Sequence, residues 1–432
     1  MNIWRHYYLH FFGVKMGCWK EIAYKLLELN LSKSIAGQVV GRLCLFLINL
    51  FSNGNIEVVP IEWMDEVASE EGNIVKNKEV GSAYAPRDWK SCCQSKQDIF
   101  HGDVLCRPFS NVIVSSRSSS VIDKENKKVV IERVLNGNTE SFVFSAGHIV
   151  MHSATHAVVR TYAVQEIDAG IFLGGNGSGN YYHWLIEMVP KFECLEKMTN
   201  EFVGYPILVD ASVESIPSFK EILAPLVESR EVVYLDSDIS YLVHDLIYID
   251  AVNNLPFNFK PDYKLQVEDF FLRKSSISYL RRIHLEDSVE GAASSKLFPK
   301  KVFLLRGNSR RGYNQREVME FLAGYGFEGV LMEGISFSEQ VKLINNAEWI
   351  VGPTGAAWSN IVFAQESVKC LCWMADEYGD FAAFSTLAKL SGADMRYLRY
   401  AAGVSKAKAL YNHAYEIDID KLKDAIHSFE GC

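Results

Sequence analysis

Short apolar runs alternate with helical spacing through the second half of the chain. Ile171-Phe172-Leu173, Pro206-Ile207-Leu208-Val209, Val232-Val233-Tyr234-Leu235 and Leu246-Ile247-Tyr248-Ile249 have the length of strands buried on both faces, as in a parallel sheet. Between the first two, Tyr181 to Lys197 sets Trp184, Leu185, Met188, Phe192 and Leu195 at helical spacing. A break follows at Pro256 to Pro299, which contains Pro261 and a polar run from Glu286 to Ser295. The alternation then restarts. Lys301–Leu305, Val330–Met332, Trp349–Val351 and Cys370–Trp373 predict strands. Asn314 with Glu317 reads as a cap pair, and Ser336 with Glu339 as a capping box opening a helix through Ala347. Further helices are predicted near Ala357, over Phe381 to Leu390, and over Asp418 to Phe429, where Ile419, Leu422, Ile426 and Phe429 share one side.

The first quarter reads differently. The start to about Asn53 reads as helical, with Leu26, Leu27, Leu29 and Leu31 among charged residues. Ile35 to Phe51 is apolar but short for a membrane span and carries Arg42, which fits a buried or interfacial helix better. Gly54 to Asp103 is polar and mixed, with loop-like Glu70-Glu71-Gly72-Asn73 and Ala85-Pro86-Arg87-Asp88. Val112–Val114, Ser120–Ile122 and Lys128–Ile131 then predict strands. Repeated strand–helix units mean a parallel sheet with helices on its faces. The expectation is an α/β chain of two Rossmann-like lobes behind an N-terminal extension: a helical and mixed extension over 1–103, a first lobe over 104–255, a linker over 256–299, a second lobe over 300–405 and a terminal helix over 406–432.

Composition narrows the functional classes. Hydrophobic content of 48% and charged content of 22% are those of a chain able to bury large cores. The net charge of -9, with no Lys/Arg run, argues against a nucleic-acid partner while leaving room for a local phosphate site. The nine cysteines are odd in number and form no CxxC pair, so they read as reduced thiols of a cytoplasmic protein. Cys370 and Cys372 alternate as one face of a buried strand. The start lacks an uninterrupted apolar core, since His10 and Lys15 break it, so no secretory signal is read. Contact with the membrane surface stays open through Ile35–Phe51.

Candidate chemistry gathers in three clusters. Gly352-Pro353-Thr354-Gly355-Ala356-Ala357-Trp358-Ser359-Asn360 follows a strand and opens a helix. Small residues there let backbone amides approach an anion, and Thr354 and Ser359 could add hydroxyl donors. A tight strand–helix turn without a ligand is the plain alternative. Arg306, Arg310 and Arg311 follow the strand Lys301–Leu305, where guanidinium forks could take a diphosphate; a solvated basic loop is the alternative. Parallel neighbours would present both clusters on one sheet edge. Gly174-Gly175-Asn176-Gly177-Ser178-Gly179 leads into a helix with His183 and Glu187 four apart. A histidine oriented by a carboxylate suits a general base, against the alternatives of a packed structural histidine and of a metal site, for which a third ligand is wanting. The glycines do not have the GxGxxG spacing, which weighs against a nicotinamide-dependent oxidoreductase.

Asn180-Tyr181-Tyr182-His183-Trp184-Leu185-Ile186-Glu187-Met188-Val189-Pro190-Lys191 resembles the signature of the family 61 glycosyltransferases, which include bacterial capsular-polysaccharide enzymes and eukaryotic xylosyl- and N-acetylglucosaminyltransferases. Leu305-Arg306, Arg310-Arg311, Ser336-Phe337-Ser338-Glu339-Gln340 and Val351-Gly352-Pro353-Thr354-Gly355-Ala356 agree in order and spacing, so the resemblance covers about Ile171 to Tyr400. It departs at Thr354, where the family usually has His. The resemblance implies a GT-B-type fold, transfer with inversion, and no metal or other cofactor. The implied partners are a nucleotide-sugar donor, of which a UDP-linked sugar is one candidate, and a glycan or lipid-linked glycan acceptor. Donor contacts would fall to Arg306, Arg310, Arg311, Glu333, Gly352, Thr354, Gly355, Ala356 and Asn360, with Glu333-Gly334-Ile335 toward the nucleobase or ribose. Acceptor contacts would fall to Asn180 and Tyr182, and catalysis to His183 with Glu187. By the same analogy the terminal helix would cross back onto the first lobe. A non-catalytic sugar-nucleotide- or glycan-binding protein of polysaccharide assembly is the alternative.

Overall fold

The computed structural model describes Lys25 and residues 34–430 except 52–54, 68–72, 134–138, 199–201, 228–229, 261, 291–296, 308–310 and 405–406. The leucines at 26–31, most of the loop at 70–73, Arg310, and residues 291–295 of the polar run therefore lie outside the described residues.

Helix α1 (Ile35–Phe51) comes first, and Ile35, Val39, Leu43 and Phe46 on it are exposed. Among the described residues no helix is long and apolar enough to cross a membrane. The strands that follow are β1 (Asn55–Trp63), β2 (Asn73–Lys76), β3 (Glu79–Tyr84), β4 (Lys96–His101), β5 (Val104–Val114), β6 (Ser120–Asp123), β7 (Lys128–Ile131), β8 (Ile149–His152), β9 (His156–Thr161), β10 (Val164–Phe172), β11 (Ile207–Asp210), β12 (Val232–Leu235) and β13 (Ser240–Ile249). All but the hairpin β3–β4 form one 11-stranded sheet in the order β12-β11-β10-β13-β5-β6-β7-β1-β9-β8, with β2 on β5. Only its end β12-β11-β10-β13 is the predicted parallel block. From β13 onward the pairing is mostly antiparallel, because connections as short as the Lys124–Lys127 turn, where Asn126 bonds back to Asp123 at 2.9 Å, can only join antiparallel strands. The stretch read as polar and mixed supplies β1 to β4, and β1 and β2 are built into this sheet.

The predicted linker is ordered where it is described: α3 (Lys274–Glu290) buries Ile277, Tyr279 and Leu280. Helix α2 (Pro217–Val227) lies earlier, between β11 and β12. The second sheet is wholly parallel, with β14 (Lys301–Leu304), β15 (Glu328–Val330), β16 (Trp349–Pro353), β17 (Lys369–Ala375) and β18 (Asp394–Tyr400) in the order β15-β14-β16-β17-β18. Its strands alternate between two cores with the period of a pleated strand. Val302, Leu304, Ile350, Cys370 and Cys372 face α5 (Phe337–Asn346) and α6 (Ala383–Leu390). Phe303, Val351, Leu371, Trp373 and Leu398 face α4 (Gln315–Ala323) and α7 (Ile419–Glu430). Cys370 and Cys372 are thus one buried strand face, as predicted, and burial pushes the Cys372 thiol up to about 12.

Two local expectations are corrected. Asn314 stands at the head of α4 without capping its amides; its side chain instead spans to Glu317 and brackets Ile417 through both N–H and C=O. And α7 does not cross back onto the first sheet. Its Leu422, Ala425, Ile426 and Phe429 join the Phe303–Trp373 core, the nearest apolar face otherwise open to water.

Candidate active site

The first site element is the loop after β10. Asn176 exchanges hydrogen bonds with Ser119 through both backbone and side chain, and the Ser178 hydroxyl donates to the Ser116 carbonyl, so the loop is tied to the β5–β6 turn. Gly177 has φ +80°, and a Cβ there would lie 2.7 Å from the His183 ring. Only glycine allows the loop to close on that imidazole. Asn180 then caps the helix Tyr181–His183, its side chain accepting from the Tyr182 amide at 2.9 Å. The predicted helix continues as a π-turn (Trp184–Met188), a 3-10 turn (Val189–Lys191) and an α-turn (Phe192–Leu195). The 3-10 turn contains Pro190, which has no amide to continue the ladder.

His183 and Glu187 are joined on this turn, Nδ1 to Oε2, and both are nearly buried. A carboxylate only accepts, so Nδ1 carries a proton, and it is the neutral imidazole that would keep a lone pair on Nε2. The other oxygen of Glu187 accepts from the Leu255 amide at 2.6 Å, and the Phe257 ring meets the imidazole edge-on with centroids 5.4 Å apart. The dyad is therefore held on one side by the glycine loop and on the other by the 255–257 segment. A small cavity beside it is lined by Glu187, Lys191, Asn176, Glu132, Asn253 and Phe257.

Tyr181 points the other way. Its hydroxyl donates to Asn360 at 2.7 Å, linking the helix to the turn after β16. There a cavity of about 540 Å³ opens between Gly179, Tyr181 and the Ile216–Phe219 segment on one side and Met332–Ser336, Gln340, Ala356 and Asn360 on the other. That volume is in the range of small-ligand sites. Glu333, Ala356 and Asn360, singled out from sequence, line it; Tyr181 and Gln340 also do, although no role was read for either. Gln340 follows the capping box of Ser336 and Glu339, present with both of its hydrogen bonds, and that box places the amide at the fourth residue of α5.

The arginine cluster meets the small-residue turn, as expected of adjacent strand ends. Gln315 fixes the Arg306 backbone at both N–H and C=O, and Arg306 Nη2 donates to the Thr354 carbonyl. A Cβ on Gly355 would lie 3.4 Å from that guanidinium. Arg306 Nε is buried with no hydrogen-bond partner, and no carboxylate pairs with Arg306 among the described residues. Arg311 instead reaches Tyr378 at 2.8 Å. Gly352 is packed against Leu304, where a Cβ would lie 2.8 Å from its side chain, so its smallness serves the strand contact.

Three expected contacts change. The Thr354 hydroxyl donates to the Trp373 carbonyl at 2.6 Å, and Ser359 is fully buried, so neither hydroxyl faces the cleft. Tyr182 is 3% exposed with its ring against Phe384, so its side chain belongs to the core and offers no surface to an acceptor. Asn180 is exposed at the helix cap. Among the described residues no three His, Cys, Asp or Glu side chains come together as a metal-type group.

Residues 181–371 match the family model described as Glycosyltransferase 61, which supports the resemblance read from the sequence. The match opens at Tyr181 and spans the dyad, the arginine strand end, the capping box and the small-residue turn. No curated protein matches the chain. A transferase of this family uses a sugar donor and an acceptor.

Proposed function

We propose that this family 61 glycosyltransferase moves a sugar from a nucleotide-sugar donor to a glycan acceptor with inversion and without a metal, on the cytoplasmic side, in assembly of a capsule or other surface polysaccharide. The family match supports the transferase class. The observation that carries the donor site is the cavity shared by Tyr181, Glu333, Ala356 and Asn360, with Tyr181 two residues from His183 of the His183–Glu187 dyad.

In this reading the nucleotide lies against Met332–Ser336, and its diphosphate reaches the Gly355 and Ala356 amides beside Arg306. The acceptor hydroxyl approaches His183 Nε2. That nitrogen takes the proton while the acceptor oxygen attacks the anomeric carbon. The bond from that carbon to the diphosphate oxygen breaks, and the leaving charge falls near Arg306. Glu187 holds the imidazole and offsets its charge once protonated. A single displacement of this kind inverts the anomeric centre. A second reading, binding without turnover, is favoured by Thr354, whose hydroxyl is taken up by Trp373.

Thermal unfolding with a panel of nucleoside diphosphates and sugar nucleotides, with and without EDTA, tests the donor site. One nucleotide class should raise the melting temperature equally in both conditions. His183→Ala should keep that shift and lose about 100-fold or more in turnover. No shift from any nucleotide would sink the donor site, and near-normal turnover would remove His183 as base. A shift without turnover in the native protein would favour the binding reading.

A further inference from the structure

A second cavity, about 250 Å³, is lined by Arg107, Arg133, Arg273, Asp250, Phe100 and Phe271, together with Glu132 and Ala251. Glu132 and Ala251 also line the cavity beside Glu187, so the two spaces share a wall. Glu132 is fixed there because its two oxygens accept from Tyr248 and the Ala251 amide. None of this wall was singled out as functional from the sequence, and most of it lies outside the residues that match the family model.

We propose that this second cavity is an acceptor subsite for a neutral sugar unit adjoining the reacting one, so that the protein extends glycans of at least two units. The assignment as acceptor rests on the transferase reading above; the assignment as a sugar site rests on the cavity's own chemistry.

Charge decides against a phosphate or other anion. Arg107 pairs with Asp250 at 2.7 Å, Arg133 with Asp65 at 2.9 Å and with Glu66, and Arg273 lies 3.7 Å from Glu79. Each guanidinium already has a carboxylate, so no spare positive charge is left for an anion. Such pairs instead set donors beside acceptors, which is what neighbouring hydroxyls on a sugar ring require. Arg273, 2% exposed, adds a buried Nε with no hydrogen-bond partner.

The apolar side is equally specific. Phe100 is 59% exposed at the cavity, and Val80, its cross-strand partner in the β3–β4 hairpin, is 70% exposed. Alternation along β4 buries Ile99 and His101 and turns Phe100 outward. An exposed ring beside fixed polar groups is a platform for the C–H face of a sugar. The Arg133 guanidinium lies 4.7 Å over the Trp63 ring, which holds one polar wall in place. A unit here would lie across Glu132 from a unit whose hydroxyl faces the dyad.

The test is retention of the protein on immobilised neutral oligosaccharides of glucose, galactose, mannose and N-acetylglucosamine, from one to four units long. Affinity should rise about tenfold from one unit to two or three of the recognised series. It should fall about tenfold in Phe100→Ala and return in Phe100→Trp, with the nucleotide-dependent thermal shift unchanged in all three proteins. Phe100 is exposed, so its loss should not unfold the chain. Failure to retain any neutral glycan, retention independent of length or of Phe100, or a preference for phosphorylated or sulfated glycans would overturn the proposal. Length- and Phe100-dependent retention without any nucleotide shift would support the sugar site and sink the transferase reading. A nucleotide shift without such retention would do the reverse.

Discussion

Arg306 has its Nη2 on the Thr354 carbonyl, its Nε buried without a partner and no carboxylate beside it among the described residues. Burial, then the neighbouring charge of Arg311, lowers its pKa from the ordinary guanidinium value, yet a guanidinium stays charged in proteins. A half-buried cation without a counter-ion is unfavourable, and a diphosphate held at Gly355 and Ala356 would offset that cost. Arg306→Gln should therefore weaken nucleoside-diphosphate binding by about 10- to 100-fold, the range of a lost charge-assisted hydrogen bond. The ligand-free protein should melt no lower than the native one. Calorimetric titration with thermal unfolding checks both, and an unchanged affinity would take Arg306 out of the donor site. His183 shows the complementary arrangement, a group whose charge is anticipated by Glu187, itself steadied by the Leu255 amide. The composition of these clusters was legible in the sequence because strand ends and spacing reveal residue types. The destination of a short side chain was not: Thr354 and Ser359 look like ligand donors until β17 takes the hydroxyl of one and packing encloses the other.

At the scale of elements, α7 shows how a correct helix can be given the wrong neighbour. Its apolar stripe of Leu422, Ile426 and Phe429 says that a face is buried, while the partner is chosen by whichever apolar surface lies within reach. Phe429 is fully buried, with Trp349 at 5.2 Å between centroids and the Arg396 guanidinium 4.0 Å over its ring. Phe429→Ala should cost about 3–5 kcal/mol, measured by urea unfolding, and a loss under about 1 kcal/mol would mean that α7 is not part of this core. The parallel strands β14, β16 and β17 were readable because both faces are apolar, and the Ser336–Glu339 box because its two hydrogen bonds are local; β18, which carries Asp394, Arg396 and Arg399 in its run, was not read. Strands β1 to β4 were not. Their exposed positions interrupt the apolar run, and β3–β4 carries Val80 and Phe100 outward. Asn314 failed as a cap for a related reason, since its side chain is drawn away by Ile417, far along the chain.

For the whole molecule, the relevant property is how its cores hold histidine. His101, His148 and His284 are buried, and burial keeps each imidazole neutral, lowering the pKa from 6.5 to about 4, about 3 and about 4 respectively, with the Arg273 charge adding to the effect on His101. His284 lies edge-on to Phe337 with centroids 5.1 Å apart, so a charge there would have an aromatic wall for solvent. Between pH 6.5 and about 4 the unfolded chain binds these protons and the native state does not. Stability is therefore present above the unfolded value and lost as pH falls through this window. Asp250 opposes the trend: burial raises it from 3.8 to about 6 against the pull of Arg107, so its contribution is present at low pH and fades as pH rises through about 6. His152, also lowered by burial, acts in the same sense. The three buried imidazoles against Asp250 alone give a net uptake of about two protons on unfolding, a slope of about 3 kcal/mol per pH unit. Urea unfolding followed from about pH 7 to about pH 5 should show the midpoint falling steeply, and His284→Phe, which keeps an aromatic ring among Phe337 and Phe363, should remove about one proton from the slope. A flat midpoint across that range would mean that the three imidazoles are not held neutral, and an unchanged slope in His284→Phe would exclude that residue as one of the groups responsible.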